Sequence, residues 1–472
     1  MDKVMHRFRM QERWVACMQF NSLEFIFFFL PMFMAVYCFV PAKARSSVLV
    51  LGSLMYYAFA SNGNYWWVAI LLGITVLAYF AGLTLAKPRK GCVLALYLTI
   101  LAGILVFFKL WKGGRYLPSG MSFYLFQLAA YLCDVYQHDY VPKYTAKTKS
   151  FCEPERNFMA FCGQIFMFPK LLSGPLMNPV ELQIQQRGAD VNGKNIRDGL
   201  QLLILGLGFK VLLANRLGGL WAEAGISGYD TISVAFAWIA LIAYALQLYF
   251  DFYGYSLMAM GLGKMLGYDL PRNFDSPYAS KTVSEFYRRW HITLGKWFRD
   301  YLYIPLGGNR NGTIATVFNL AVVWLFTGLW HGVGGNYLLW AGFLFLLIVN
   351  ERLWFGKLMK KSHVFCHLYV VFVILLSWIP FAIGDSNEMI SFVGRLFGIT
   401  GSAVNNRDFI YSSIEYLPML VAGVLFATPY PRKVWERIRH TVVSDLVILV
   451  LFWLVVYFIS TAAQDPFMYF QY

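Results

Sequence analysis

The chain has 472 residues, of which 58% are hydrophobic, 18% aromatic and only 14% charged. A soluble fold of this length could not hide that much apolar surface, so the composition excludes an ordinary globular protein and points to an all-α polytopic membrane protein. The 40 Lys and Arg against 25 Asp and Glu, a formal net charge of +15, would suggest nucleic acid in a soluble protein; in a membrane chain the excess marks cytoplasmic loops, and no nucleic-acid partner is expected.

Residues 1–20 are basic, but no small-residue cleavage site follows; the apolar run after them, from about Phe25 to Val40, ends at Pro41 and reads as a retained span. Further apolar runs lie at Ser47–Ala60, Tyr65–Ala86, Cys92–Leu110, Gly120–Val135, Phe158–Leu176, Leu200–Leu217 and Ile232–Leu262. They continue at Thr313–Trp330, Tyr337–Val349, Leu368–Ile383, Tyr416–Thr428 and Leu446–Thr461. A membrane-crossing helix needs roughly 20 residues, so these give about 10–12 transmembrane or re-entrant helices. Residues 18–472 read as a single membrane domain, with a catalytic core at about 244–340 and an aromatic tail at 465–472.

Basic loops at Lys43–Arg45, Lys87–Lys90, Lys143–Lys149, Glu351–Lys361 and Arg432–Arg439 fit one cytoplasmic side. Lys3, Arg7, Arg9 and Arg13 would then lie outside, which favours a start at Met18 over a surface-lying extension. The seven cysteines show no CxxC or CxxxC spacing, so neither a zinc site nor a disulfide framework is expected.

Three polar groups stand out. His331 ends an apolar helix, with Thr327 and Trp324 one and two turns back on its face. It is either a buried histidine bonded to a neighbouring helix or a general base taking a proton from an attacking hydroxyl. Gly328, Gly332, Gly334 and Gly335 open its surroundings to a second helix or an acyl chain. His291, in RRWHITLGKWFRD, reads as part of one amphipathic interfacial helix that puts Tyr287, Arg288, Gly295 and Phe298 on its face and Trp290, Trp297 and Tyr301 at headgroup depth. It could meet lipid phosphates, bind an anionic donor or serve as a second catalytic group. Asp251, inside an aromatic run, must be paired or protonated; it is a candidate site residue or the structural partner of an arginine. Gly254, Gly261, Gly263 and Gly267 suit close helix packing.

YFDFYGYSLMAMGLGKMLG, NFDSPY, EFYRRWHITLGKWFRDYLYIPLGGNR and GLWHG resemble the membrane-bound O-acyltransferase family, in the bacterial branch that includes the alginate O-acetyltransferase membrane subunit. GMSFYLFQLAAYLCDVY, FMFPKLLSGPL and FNSLEFIFFFLP resemble the same branch. The resemblance implies a multi-helix fold with a tunnel or funnel reaching His331, the match to the family's catalytic histidine, and His291, the match to its second histidine. It implies transfer of an acyl group from a thioester donor, acetyl-CoA above all, to a hydroxyl on an exported glycan. No bound cofactor is expected; the partners implied are membrane lipid and an extracytoplasmic acetyltransferase- or esterase-like protein, at the inner membrane. WIPFAIGD at Trp378–Asp385 lacks the arginine of the branch's WVFFRA, which leaves the acceptor open.

Arg288, Arg289, Trp290, Trp330 and Asn336 complete the candidate substrate- and donor-binding set. The DPFMYFQY ending resembles the FIYxxF ending of small proteins in teichoic-acid D-alanylation, which makes Tyr469 a candidate acyl relay; an aromatic belt is the plainer reading. Two alternatives stay open: D-alanyl transfer from a carrier protein to teichoic acid, and a secondary transporter.

Overall fold

The computed structural model describes residues 18–61, 64–85, 91–114, 116–137, 152–356, 362–399 and 403–461. These residues are helices and connecting turns, without strand, and nine of the helices are long and apolar enough to cross a membrane. The apolar stretch Phe25–Phe39 is a shorter helix. The 1–17 extension and the tail bearing Tyr469 lie outside the described residues.

The chain clusters into two compact units. The first runs to Leu203 and takes in Met258–Pro271. Here the expected single span over Phe158–Leu176 is instead two short helices, Phe158–Phe166 and Phe168–Leu171, separated by a non-helical Met167. Pro169 suits the break: it lacks an N–H and is accommodated best in the first turn of a helix, which is where it sits as the chain restarts. The Phe168 N–H donates to Ser53 Oγ at 3.1 Å, and its ring is boxed by Phe20, Phe25, Phe29, Phe33 and Tyr56.

Two recognisable sequence motifs meet in this unit. Gly120, at the start of the Met121–Gln137 helix, has φ +74° and lies against the Leu171–Leu172 backbone. Buried Lys170 from the second motif donates to Gln127 of the first. A Cβ on Gly120 would stand 2.5 Å from the Leu171 carbonyl oxygen. Gly120→Ala is therefore expected to cost about 2–5 kcal/mol, from left-handed strain plus overpacking. Gly73→Ala, in open space within the Tyr65–Leu85 helix, should instead stabilise by up to about 1 kcal/mol. Thermal unfolding in detergent reads both; equal melting temperatures for the two variants would overturn this packing.

The second unit carries Ile204–Leu257 and Arg272–Phe458. Its core packs aromatic rings of the Val234–Met265 helix, such as Tyr244 and Tyr249, with Phe286, Trp290, Trp340 and Trp378. Asp251 is paired here, with lysine rather than arginine: Lys210 Nζ donates to its carboxylate at 2.6 Å, both side chains almost fully buried. Lys210 sits in a π-helical turn, Phe209–Ala214, the kind of local widening that re-aims one side chain within an otherwise regular helix. Gly254 brings the two helices into backbone contact beside this pair, since a Cβ there would lie 2.7 Å from the Gly206 carbonyl oxygen.

Candidate active site

The RRWH segment is not one amphipathic helix. A helix over Val283–Arg289 stops, and a second begins at Ile292 and runs to Phe298. His291 stands at the junction with φ +46° and ψ +53°, in the left-handed region that histidine enters more readily than most side chains.

Hydrogen bonds from a distant loop hold this break. The Asn273 carbonyl accepts the Ile292 N–H at 2.9 Å, and Asn273 Oδ1 accepts both the Thr293 N–H at 3.2 Å and the Thr293 hydroxyl at 2.6 Å. Asn273 Nδ2 donates in turn to Ser256 Oγ. Asp275 N–H donates to the Arg289 carbonyl, and the Asp275 carboxylate binds Arg432 at 2.6 Å. The NFDSPY motif thus fastens both sides of the histidine. At the other end of the first helix, Glu351 accepts the Val283 N–H at 2.6 Å and the Ser284 N–H at 3.2 Å. A carboxylate placed there satisfies N–H groups that have no partner within the helix and complements its dipole. Sequence reasoning misses Asn273 and Glu351. Their signal is the pairing of a polar residue in NFDSPY, and an acid in a basic loop, with helix starts far away in the chain.

His331 is the last residue of the Gly312–His331 helix and is buried. Its ring meets Trp330 at 4.7 Å, Trp340 at 4.9 Å and Phe381 at 5.2 Å between centroids, each edge-to-face. Gly332 leaves the helix with extended backbone, where a Cβ would collide with the Tyr337 ring. Gly328 lies against Ala341 and the Tyr337 carbonyl, so one glycine of the motif lets the Gly335–Asn350 helix approach.

The two histidines line a single cavity of about 240 Å³. Trp324, Thr327 and Trp340 form part of the same wall, as do Tyr287, Trp290 and Arg299. Trp330 lies beside His291, 6.0 Å between ring centroids, and Phe252 covers His291 edge-on at 4.7 Å. Burial pushes the His291 imidazole down from its ordinary 6.5 to about 3. It is therefore neutral at physiological pH.

The other candidates separate. Trp290 stays with the site: it reaches the cavity wall and is buried against Phe274, Phe286 and Trp378, because the helix break turns its ring inward. Arg288 is exposed and outside the cavity lining, and Arg289 pairs with Glu285 at 2.6 Å. Asn336 donates to the Pro380 carbonyl at 3.0 Å, tying the Gly335–Asn350 helix to the His363–Ala382 helix. Asp251 is absent from the lining, although its neighbour Phe252 touches His291. Arg299, on a π-helical turn over Arg299–Tyr303 and clasped by Asp300 at 2.7 and 3.1 Å, does reach the cavity. Among the described residues no three His, Cys, Asp or Glu side chains are grouped to hold a metal.

The sequence profile of the membrane-bound O-acyltransferase family matches residues 93–380. The chain is 29% identical, across 96% of its length and all of the relative's, to a probable alginate O-acetylase AlgI of Pseudomonas putida. It is 30% identical to a peptidoglycan O-acetyltransferase of Helicobacter pylori, covering 88% of this chain and 87% of that one. A teichoic acid D-alanyltransferase of Streptococcus thermophilus is 29% identical over 43% of this chain and 51% of its own length. The matched profile spans both histidines and the elements that bring them together. An acyltransferase, rather than a secondary transporter, follows, and the chain belongs to the membrane-bound O-acyltransferase family.

Proposed function

We propose that this multi-pass membrane enzyme moves an acetyl group from acetyl-CoA to a hydroxyl of an exported glycan at the inner membrane. The observation that carries the reading is the meeting of His291 and His331 on one aromatic cavity. An apolar, partly enclosed space excludes water from a thioester and strengthens the few polar interactions made inside it. His331 is the general base: neutral imidazole accepts the hydroxyl proton as the oxygen attacks the thioester carbonyl, and returns it to the leaving thiolate. Exposed Arg288 is free of the ion pair that occupies Arg289 and is the better placed of the two for the donor's phosphates. Lipid phosphates would suit the same guanidinium.

The alginate and peptidoglycan acetylating relatives, matched over most of the chain, favour acetyl over D-alanyl transfer. The acceptor is an exported glycan reached through a separate extracytoplasmic acetyltransferase- or esterase-like protein. Tyr469 relays the group: its phenol oxygen takes the acetyl and yields it to that partner's nucleophile. Purified protein incubated with isotope-labelled acetyl-CoA should gain one acetyl mass on Tyr469, lost in Tyr469→Phe. Label at another residue would discard the relay and keep acetyl transfer. Neither label nor release of free thiol from a folded sample would refute the acetyl-CoA donor and leave the carrier-protein route.

A further inference from the structure

Trp340 is 2% exposed and lines the cavity that holds both histidines. Its indole Nε1–H meets no hydrogen-bond acceptor among the described residues. The groups packed around the ring explain why: His331, Phe381 and Trp324 meet it at 4.9–6.0 Å between centroids, and Trp378 stacks on it at 6.3 Å. Buried tryptophans ordinarily find a partner for this N–H, and a donor left without one in a dry site is available for a ligand's oxygen.

Resting on the acyl-transfer reading above, we infer that Trp340 Nε1–H is the oxyanion donor, binding the thioester carbonyl oxygen beside His331. The reacting carbon must lie close to the base, and the Trp340 and His331 rings are in edge-to-face contact. As the hydroxyl oxygen bonds to the carbonyl carbon, the carbonyl π pair moves onto its oxygen while His331 takes the hydroxyl proton. Collapse restores the carbonyl and breaks the carbon–sulfur bond, and the proton passes from His331 to the thiolate sulfur. The indole N–H acts on the charge that exists only between these steps, so it lowers the barrier more than it tightens donor binding. The surrounding rings fix its direction, so little reorganisation is needed when the charge appears.

The test uses the full chain with acetyl-CoA carrying a ¹³C-labelled carbonyl, in a His331→Ala background that holds the donor without turnover. Isotope-edited infrared spectra should show the carbonyl band at lower frequency than in buffer. That shift should disappear when Trp340→Phe is added, and when the indole is replaced by benzothiophene, which keeps both rings and removes only the N–H. With His331 intact, either replacement should lower thiol release at saturating acetyl-CoA about 10²-fold and leave KM within a few-fold. An unshifted band in the parent, the same band in all samples or an unchanged rate overturns Trp340 as donor while acyl transfer stands. A parent that binds no acetyl-CoA overturns the acetyl-CoA reading, and this assignment with it.

Discussion

His331→Ala is expected to lower acyl transfer by about 10²–10⁴-fold, the contribution of a positioned general base. The position explains why no neighbour should substitute. The imidazole ends its helix and is held by edge contacts to Trp330, Trp340 and Phe381, none of which can accept a proton. The other histidine on the cavity is fixed by its own backbone turn and touches Trp330 rather than replacing His331 beside Trp340. Loss of rate should come without loss of fold. Alanine suits the last turn of a helix, and the helix is held independently through Gly328 against Ala341. Rates measured beside melting temperature and detergent-resolved particle size separate the two effects. A folded His331→Ala protein with parental turnover would remove this residue from the chemistry.

The parts of the site legible in the sequence are those that depend on one uninterrupted helix. His331, Thr327 and Trp324 recur at helical spacing and line one wall, because the Gly312–His331 helix is unbroken. The same arithmetic fails at His291. Nothing in RRWHITLGKW announces a left-handed turn there; the turn is held by Asn273, whose Oδ1 reaches Thr293 across 20 residues of chain. Partners farther apart are harder still to read: Lys210 and Asp251 are separated by 41 residues, and Glu351 and Val283 by 68. A buried acid announces that it needs a partner, but not which one. Trp340 is illegible for a different reason. An apolar helix holds its tryptophans for packing, and only the surroundings of the indole nitrogen together with its place on the cavity wall distinguish this one. The break near Met167 is no easier to read: Pro169 starts a new helix there, whereas Pro380 and Pro418 lie inside the continuous His363–Ala382 and Asp408–Ala427 helices, so a proline in an apolar run does not by itself announce a break.

His291 should respond to substitution according to backbone shape and charge together. Asparagine tolerates the left-handed region, so His291→Asn should keep the junction between the Val283–Arg289 and Ile292–Phe298 helices. His291→Val places a β-branched side chain at φ +46° and should cost about 1–2 kcal/mol more, seen as a lower melting temperature. The charge effect has a definite sign. Burial lowers the folded-state imidazole to about 3 from 6.5, so between those values the unfolded chain binds more protons than the folded one. The resulting stability is fully present above pH 6.5 and is lost progressively as pH falls toward 3. Melting temperature in detergent, followed from about pH 7.5 to about 4.5, should therefore fall more steeply for the parent than for His291→Asn. The carboxylates titrate in both proteins, and the difference between the two curves isolates the imidazole. Parallel curves would mean that His291 is protonated in the folded protein at no penalty, which is incompatible with a ring enclosed by Phe252 and Trp330.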